Sequence, residues 1–177
     1  GDRHVGAGPL GQGNLLSGNS GGLGLHGNET TANTIVGNLI GTDVSGQVAR
    51  PNMIGIQVQD GAHHNRVGGA TPGLRNVISG NWSRGIQLVG EGVAGNVVAG
   101  NLIGTDLTGT RAVPNYFGVI AESGASGNII GGAGPGEANV ISGNRPYGVV
   151  LSDPGTAHDE IIGNLIGTDI SGTRAVP

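Results

Sequence analysis

The densest group of acid–base side chains lies in the segment SDPGTAHDE at residues 152–160. It contains Asp153, His158, Asp159 and Glu160. Carboxylates and imidazoles transfer protons when they lie within hydrogen-bond reach of a substrate. We therefore predict these four residues as the catalytic group if the chain has an enzymatic activity. A solvated polar corner is the alternative interpretation of the same segment.

A second set of acids recurs about once every thirty residues, at Asp60, Glu91, Glu122 and Asp153. If the chain winds with that period, neighbouring acids come within one or two strand spacings of each other. Close carboxylates attract a hard cation such as Ca²⁺. The sequence thus makes Glu91, Glu122 and Asp153 the candidate metal ligands, with a solvated corner as the alternative. We expect no other cofactor.

The few aromatic residues form the third candidate site. All lie within three residues before a glycine that opens an apolar run, and they are Trp82, Tyr116, Phe117 and Tyr147. The same winding places Gln57 and Gln87 beside them on an outer face. Aromatic faces next to amides suit the stacking and hydrogen bonding of sugars. This predicts a polysaccharide-binding surface formed by Trp82, Tyr116, Tyr147, Gln57 and Gln87, unless the rings only pack over the sheet.

The elements that position these residues follow from an internal repeat. The heptapeptide GNLIGTD occurs at residues 37–43, 100–106 and 163–169, and NVISGN occurs at 76–81 and 139–144. Both spacings are 63 residues. A fixed period of this size is the sequence signature of a solenoid.

Each 63-residue unit contains two coils. Apolar runs opened by glycine begin at Gly22, Gly55, Gly85, Gly118 and Gly148, at intervals of 33 and 30 residues. Every coil has three such short runs, and in each of them a β-branched or leucine column alternates with a variable one. This period of two predicts strands with one buried face. We predict an all-β, right-handed parallel β-helix with three short strands per coil and about five and a half coils.

Two further columns have a structural interpretation. Asn33, Asn65, Asn96 and Asn128, followed by Asp159, predict a ladder of stacked amides along one corner. The last residue of each heptapeptide is an aspartate that precedes a long loop, and we expect these residues to cap turns. They are Asp43, Asp106 and Asp169.

The GNLIGTD and NVISGN repeats resemble the right-handed parallel β-helix repeat family of the pectate-lyase-like superfold. They are most similar to the Gly/Asn-rich tandem arrays of large bacterial extracellular proteins, over nearly all 177 residues. That resemblance implies right-handed winding and a secreted or cell-surface location. The family hosts lyases, hydrolases, epimerases, adhesins and stalks, so fold alone does not select a function. The Asp-Pro-His signature of mannuronan epimerases and the paired Asp and Arg motifs of polygalacturonases are missing.

Composition excludes several other classes. The chain has 8 basic residues, a net charge of −4 and no cysteine, so a basic nucleic-acid footprint and a disulfide framework are both absent. No apolar run approaches the roughly 18 residues that a membrane span needs. We expect neither nucleic acid nor membrane insertion.

We expect residues 1–177 to form a single β-helix domain that is part of a longer array. Its uncapped terminal coils predict end-to-end self-association. The first functional hypothesis is a stalk or binding module of a secreted or cell-surface bacterial protein that binds polysaccharide along one sheet face. The alternative is a polysaccharide lyase, hydrolase or C5-epimerase, and a consensus-derived sequence is a third.

Overall fold

The computed structural model describes residues 13–177. Within that range the chain is all-β, with three parallel sheets and about five stacked coils of a right-handed parallel β-helix. The single helical element is a short 3-10 turn at Pro72–Leu74. No helix in the described range has the length and apolar character needed to cross a membrane.

The first sheet contains the glycine-opened runs. Its strands are β2 (Gly21–His26), β5 (Ile54–Gln59), β8 (Arg84–Val89), β11 (Phe117–Glu122) and β14 (Tyr147–Leu151). Each strand pairs in parallel with its copy in the next coil, as in the pairing of Ile56 with Ile86 and of Ile86 with Val119. The register predicted from the repeat is therefore confirmed.

The other two sheets are built from shorter strands. The second sheet contains β3 (Thr34–Ile35), β6 (Arg66–Val67), β9 (Val97–Val98), β12 (Ile129–Gly131) and β15 (Glu160–Ile162). The third sheet contains β1 (Leu15–Leu16), β4 (Leu39–Ile40), β7 (Val77–Ile78), β10 (Leu102–Ile103), β13 (Val140–Ile141) and β16 (Leu165–Ile166). Consecutive strands of each sheet pair in parallel.

One aliphatic core fills the inside of the coils. Ile56, Ile86, Ile103 and Ile130 are fully buried in it, as the predicted columns require. Ile161, in the last copy of the second-run column, is 45% exposed. Truncating a fully buried isoleucine to alanine costs about 2–5 kcal/mol, so these columns hold the coils together.

A second, smaller apolar layer lies outside the third sheet. Leu39, Val77, Leu102 and Val140 are buried there, each next to a residue that points into the main core. Three hairpins of the long loops cover this outer face, each closed by an antiparallel bridge: Thr42–Ala49, Thr105–Ala112 and Thr168–Ala175. The third sheet is therefore apolar on both sides.

Aspartates cap these hairpins, as the sequence predicts. The Asp106 carboxylate accepts hydrogen bonds from the Thr108 hydroxyl at 2.8 Å and from the backbone N–H of Thr110 and Arg111. Burial raises the pKa of Asp106, but these hydrogen bonds outweigh it and bring the pKa below its ordinary value of 3.8. The Ser45 hydroxyl likewise lowers the pKa of Asp43, and the Ser171 hydroxyl lowers that of Asp169. All three aspartates serve the fold.

Asparagine ladders run along all three corners, where the sequence predicts only one. The predicted ladder joins Asn33, Asn65, Asn96, Asn128 and Asp159. A second joins Asn14, Asn38, Asn76, Asn101, Asn139 and Asn164. A third joins Asn19, Asn52, Asn81, Asn115 and Asn144. Buried amides need partners, and at each rung the neighbouring coil supplies one.

Candidate functional site

At the corner between the third and first sheets, one side chain per coil projects outward directly after a ladder asparagine. We call these residues the corner row, and they are Met53, Trp82, Tyr116 and Arg145. The asparagines before them are held in the third ladder, for example by the 2.9 Å bond from Asn81 Nδ2 to Asn115 Oδ1. Met53 is 53% exposed, Trp82 71% and Tyr116 55%.

A groove of about 340 Å³ lies beside the corner row. Its lining is mostly apolar and consists of Ala49, Pro51, Gly80, Asn81, Trp82, Pro114, Asn115, Tyr116 and Arg145. Pro51 and Pro114 stand 63 residues apart, each just after a hairpin. We call this feature the aromatic groove. Its indole and phenol rings offer stacking surfaces, and Arg145 offers hydrogen-bond donors and a positive charge.

Phe117 supports the two tyrosines from below. Its ring meets the ring of Tyr116 edge-on, with centroids 4.8 Å apart, and stacks on the ring of Tyr147 at 6.1 Å. The β11–β14 register pairs Phe117 directly with Tyr147. Phe117 is half-buried, whereas Tyr147 remains 58% exposed. The aromatic residues thus divide into one packing ring and three exposed ones.

The predicted amides lie on the outer face of the first sheet, outside the aromatic groove. Gln57 donates to Gln87 at 3.0 Å, and Gln87 donates in turn to the carboxylate of Glu122. Gln87 is only 6% exposed and Gln57 is half-buried. The structure therefore places these two residues in a side-chain network beside the rings.

An ion pair completes this network, and sequence reasoning missed it. Arg84 Nη2 lies 3.2 Å from Glu122 Oε1, joining two adjacent coils across the sheet face. In the register, Arg84 stands between Ile54 and Phe117. A charged residue in a column of otherwise apolar or small residues is the signal that could have revealed it.

The predicted metal ligands are spread along the next corner. Glu122 is engaged by Arg84 and Gln87, while Asp153 accepts a 3.1 Å hydrogen bond from Ser123. Glu91 is exposed. Within residues 13–177, no group of three or more His, Cys, Asp or Glu is placed to hold a metal ion. Calcium binding here stays a prediction.

The segment 152–160 provides one structural carboxylate. Asp159 Oδ1 accepts hydrogen bonds from the backbone N–H of Asn128 at 2.8 Å and from its amide at 3.0 Å, which continues the ladder. His158 is exposed with a positive φ of 58°, and Glu160 is exposed in β15. The four predicted catalytic residues therefore have separate surroundings, and catalysis by them stays a prediction.

Fold and groove together define the class of the molecule, a three-sided parallel β-helix repeat protein with an aromatic groove at one corner. No protein-family model, curated protein or solved structure matches the chain.

Proposed function

We propose that this chain is a structural solenoid module that binds polysaccharide in the aromatic groove. The observation that carries the proposal is the exposure of Trp82 and Tyr116 on adjacent coils beside a groove of about 340 Å³. Large aromatic side chains left in solvent and held by a rigid scaffold are typical of recognition surfaces. The sequence repeats support the further inference that the module belongs to the pectate-lyase-like tandem arrays of secreted or cell-surface bacterial proteins.

Spacing along the rod favours a chain-like ligand. Adjacent parallel strands lie about 4.8 Å apart, so the corner row presents one side chain per step of that size. A sugar unit of a polysaccharide is of comparable length, and a glycan lying parallel to the rod axis would meet Trp82 and Tyr116 with successive rings. Arg145 would then donate to a hydroxyl, carboxylate or sulfate at one end of the groove.

The chain has a single tryptophan, which makes the test direct. Titration with oligosaccharides from a polysaccharide panel should change the fluorescence of Trp82 in a saturable way. On a glycan array, Trp82→Ala and Tyr147→Ala should abolish the signal, whereas Trp82→Phe should retain part of it because the ring remains. Val44→Ala alters a residue that is 64% exposed in the first hairpin and serves as the control.

Unchanged array signal in folded Trp82→Ala would remove the aromatic groove from the proposal. Loss of signal in Val44→Ala would show that the assay reports something other than the groove.

The Arg84–Glu122 pair supports the second candidate function, a polysaccharide lyase, hydrolase or epimerase. A carboxylate and a guanidinium on adjacent coils, next to an aromatic surface, supply groups that act on a sugar bond or on its uronate. A screen for reducing ends and unsaturated products on the same panel tests this candidate. Turnover by the wild type that disappears in Glu122→Gln, with binding retained, would establish the enzyme.

A further inference from the structure

A second cleft lies on a different face, outside the third sheet. Its volume is about 220 Å³, and its lining consists of Gly37, Leu39, Pro72, Arg75, Val77, Leu102 and Leu107. We call it the hairpin cleft. Among the described coils, those of β4 and β10 carry hairpins on this face, whereas the coil of β7 between them carries none. The cleft occupies the space that this alternation leaves over Val77.

The walls of the hairpin cleft are fixed by backbone contacts. The 3-10 turn at Pro72–Leu74 is tied to the preceding coil by the 3.3 Å bond from Gly37 N–H to the Leu74 carbonyl. On the other side, Leu107 N–H donates to the Gly46 carbonyl at 3.0 Å, so the hairpins contact each other. Leu39, Val77 and Leu102 are almost fully buried beneath them. The cleft is therefore preformed.

Arg75 is the one charged residue that lines this apolar cleft. It is half-buried, and it makes no ion pair with any residue in the range 13–177. A partly desolvated guanidinium without a counterion is a costly arrangement. A carboxylate is the group whose geometry it matches best, through two parallel hydrogen bonds.

The repeat supplies an internal comparison. The residues 63 positions after Leu39, Pro72, Val77, Leu102 and Leu107 are Leu102, Pro135, Val140, Leu165 and Ile170. The apolar frame is thus preserved, but the residue that corresponds to Arg75 is Ala138. Since the fold accommodates alanine at that position, the arginine is a local departure from the repeat and not a requirement of the coil.

We propose that the hairpin cleft binds a small monocarboxylate with a compact apolar body. The carboxylate pairs with Arg75, and the apolar body lies on Leu39, Val77 and Leu102. An apolar cavity of about 150 Å³ accepts benzene in another protein, so this slightly larger space suits a molecule the size of benzoate. The affinity expected for so few atoms is about millimolar.

Methyl NMR on the 177-residue chain tests the proposal. Titration with benzoate should shift the methyl signals of Leu39, Val77 and Leu102 in a saturable way. Benzyl alcohol, which has the same body without the charge, should bind about tenfold or more weakly. Arg75→Gln should weaken benzoate binding by a similar factor and leave benzyl alcohol unaffected, because only the charge-assisted bonds are lost.

A gain-of-function variant completes the design. Ala138→Arg places a guanidinium in the corresponding position and should add benzoate-dependent shifts at Val140 and Leu165. Absence of any saturable shift in the wild type would overturn the proposal. So would equal binding of benzoate and benzyl alcohol, unchanged binding in folded Arg75→Gln, or no new shifts in folded Ala138→Arg. Trp82 fluorescence reports the aromatic groove separately, so failure of one site is distinguishable from failure of the other.

Discussion

Single residues in this molecule have roles that depend on the column in which they stand. Asparagine in a ladder column uses its carbonyl to accept from the previous coil and its amide to donate to the next. Asn128, for example, donates 3.0 Å bonds both to Asp159 Oδ1 and to the Val93 carbonyl. Aspartate in the same column can accept but cannot donate. Asp159 Oδ2 is accordingly buried without a hydrogen-bond partner.

Replacing Asp159 with asparagine should therefore stabilise the protein. The new amide would reach the kind of backbone carbonyl that Asn96 and Asn128 reach in the preceding coils. One added hydrogen bond and the loss of an unpaired buried oxygen should raise the free energy of unfolding by about 1 kcal/mol. Chemical denaturation of Asp159→Asn against the wild type measures this.

Asp159→Ala is the matched control, because it also removes the accepting oxygen and should destabilise. A loss of stability in Asp159→Asn would mean that the carboxylate has a role outside the ladder, which would strengthen its place among the catalytic candidates.

At the scale of elements, the glycine that opens each strand of the first sheet lets two coils approach closely. A Cβ placed on Gly85 would lie 2.6 Å from the Gly118 carbonyl oxygen and 2.9 Å from the Asn115 amide. Both atoms are fixed, the first by the sheet and the second by its ladder. The position thus requires glycine for space, since its φ is not in the left-handed region.

Gly85→Ala should destabilise the protein by about 1–3 kcal/mol through overpacking. Gly21→Ala, at a strand position where a Cβ would meet nothing within 4 Å, is the control. It should be neutral or slightly stabilising, because alanine restricts the unfolded chain. Thermal unfolding of both variants measures the difference, and similar melting temperatures would contradict the close approach.

The sequence predicts the inner columns because burial there demands one residue type in every coil. It does not predict that Leu39 and Val77 are buried on the outer face, since the neighbouring column is also apolar and alternation no longer distinguishes the two sides. The Arg84–Glu122 pair escapes prediction for another reason. The two residues stand in different columns, 38 positions apart, and only the reach of their side chains brings them together.

The candidate sites divide in the same way. Exposure of Trp82, Tyr116 and Tyr147 follows from their place beside the corner asparagines, which the repeat reveals. The groove itself depends on Pro51 and Pro114 from the hairpins, and loop conformations have no column to fix them. Gln87 is drawn into its network by Glu122, so its low exposure is a property of the folded surface.

At the scale of the whole molecule, the structural unit is two coils, because the hairpins recur once per 63 residues and contact each other. Leu107 N–H donates to Gly46, and Ile170 N–H donates to Gly109 at 2.9 Å. Arg111 also reaches back to Gln47 at 2.7 Å. In such repeats, stability is close to a sum over neighbouring units.

Deletion of residues 76–138 should therefore yield a shorter protein that folds. The new junction joins Arg75 to Asn139, which has the same environment as Asn76 two coils earlier. Deletion of residues 55–84 removes fewer residues but places two hairpin-bearing coils in direct contact. We expect the 55–84 deletion to have the lower melting temperature, as measured by circular dichroism. The opposite order would show that the single coil is the unit of stability.

The amide ladders also give the molecule a direction. In all three corners, each asparagine side chain donates toward the coil that follows it in the chain, as Asn38 does to Asn76 and Asn52 does to Asn81. Aligned hydrogen bonds polarise one another, so the side-chain dipoles of the three corners add along the axis. One end face is consequently richer in partial positive charge than the other. This asymmetry should orient the protein in an electric field and set which end face attracts an anion.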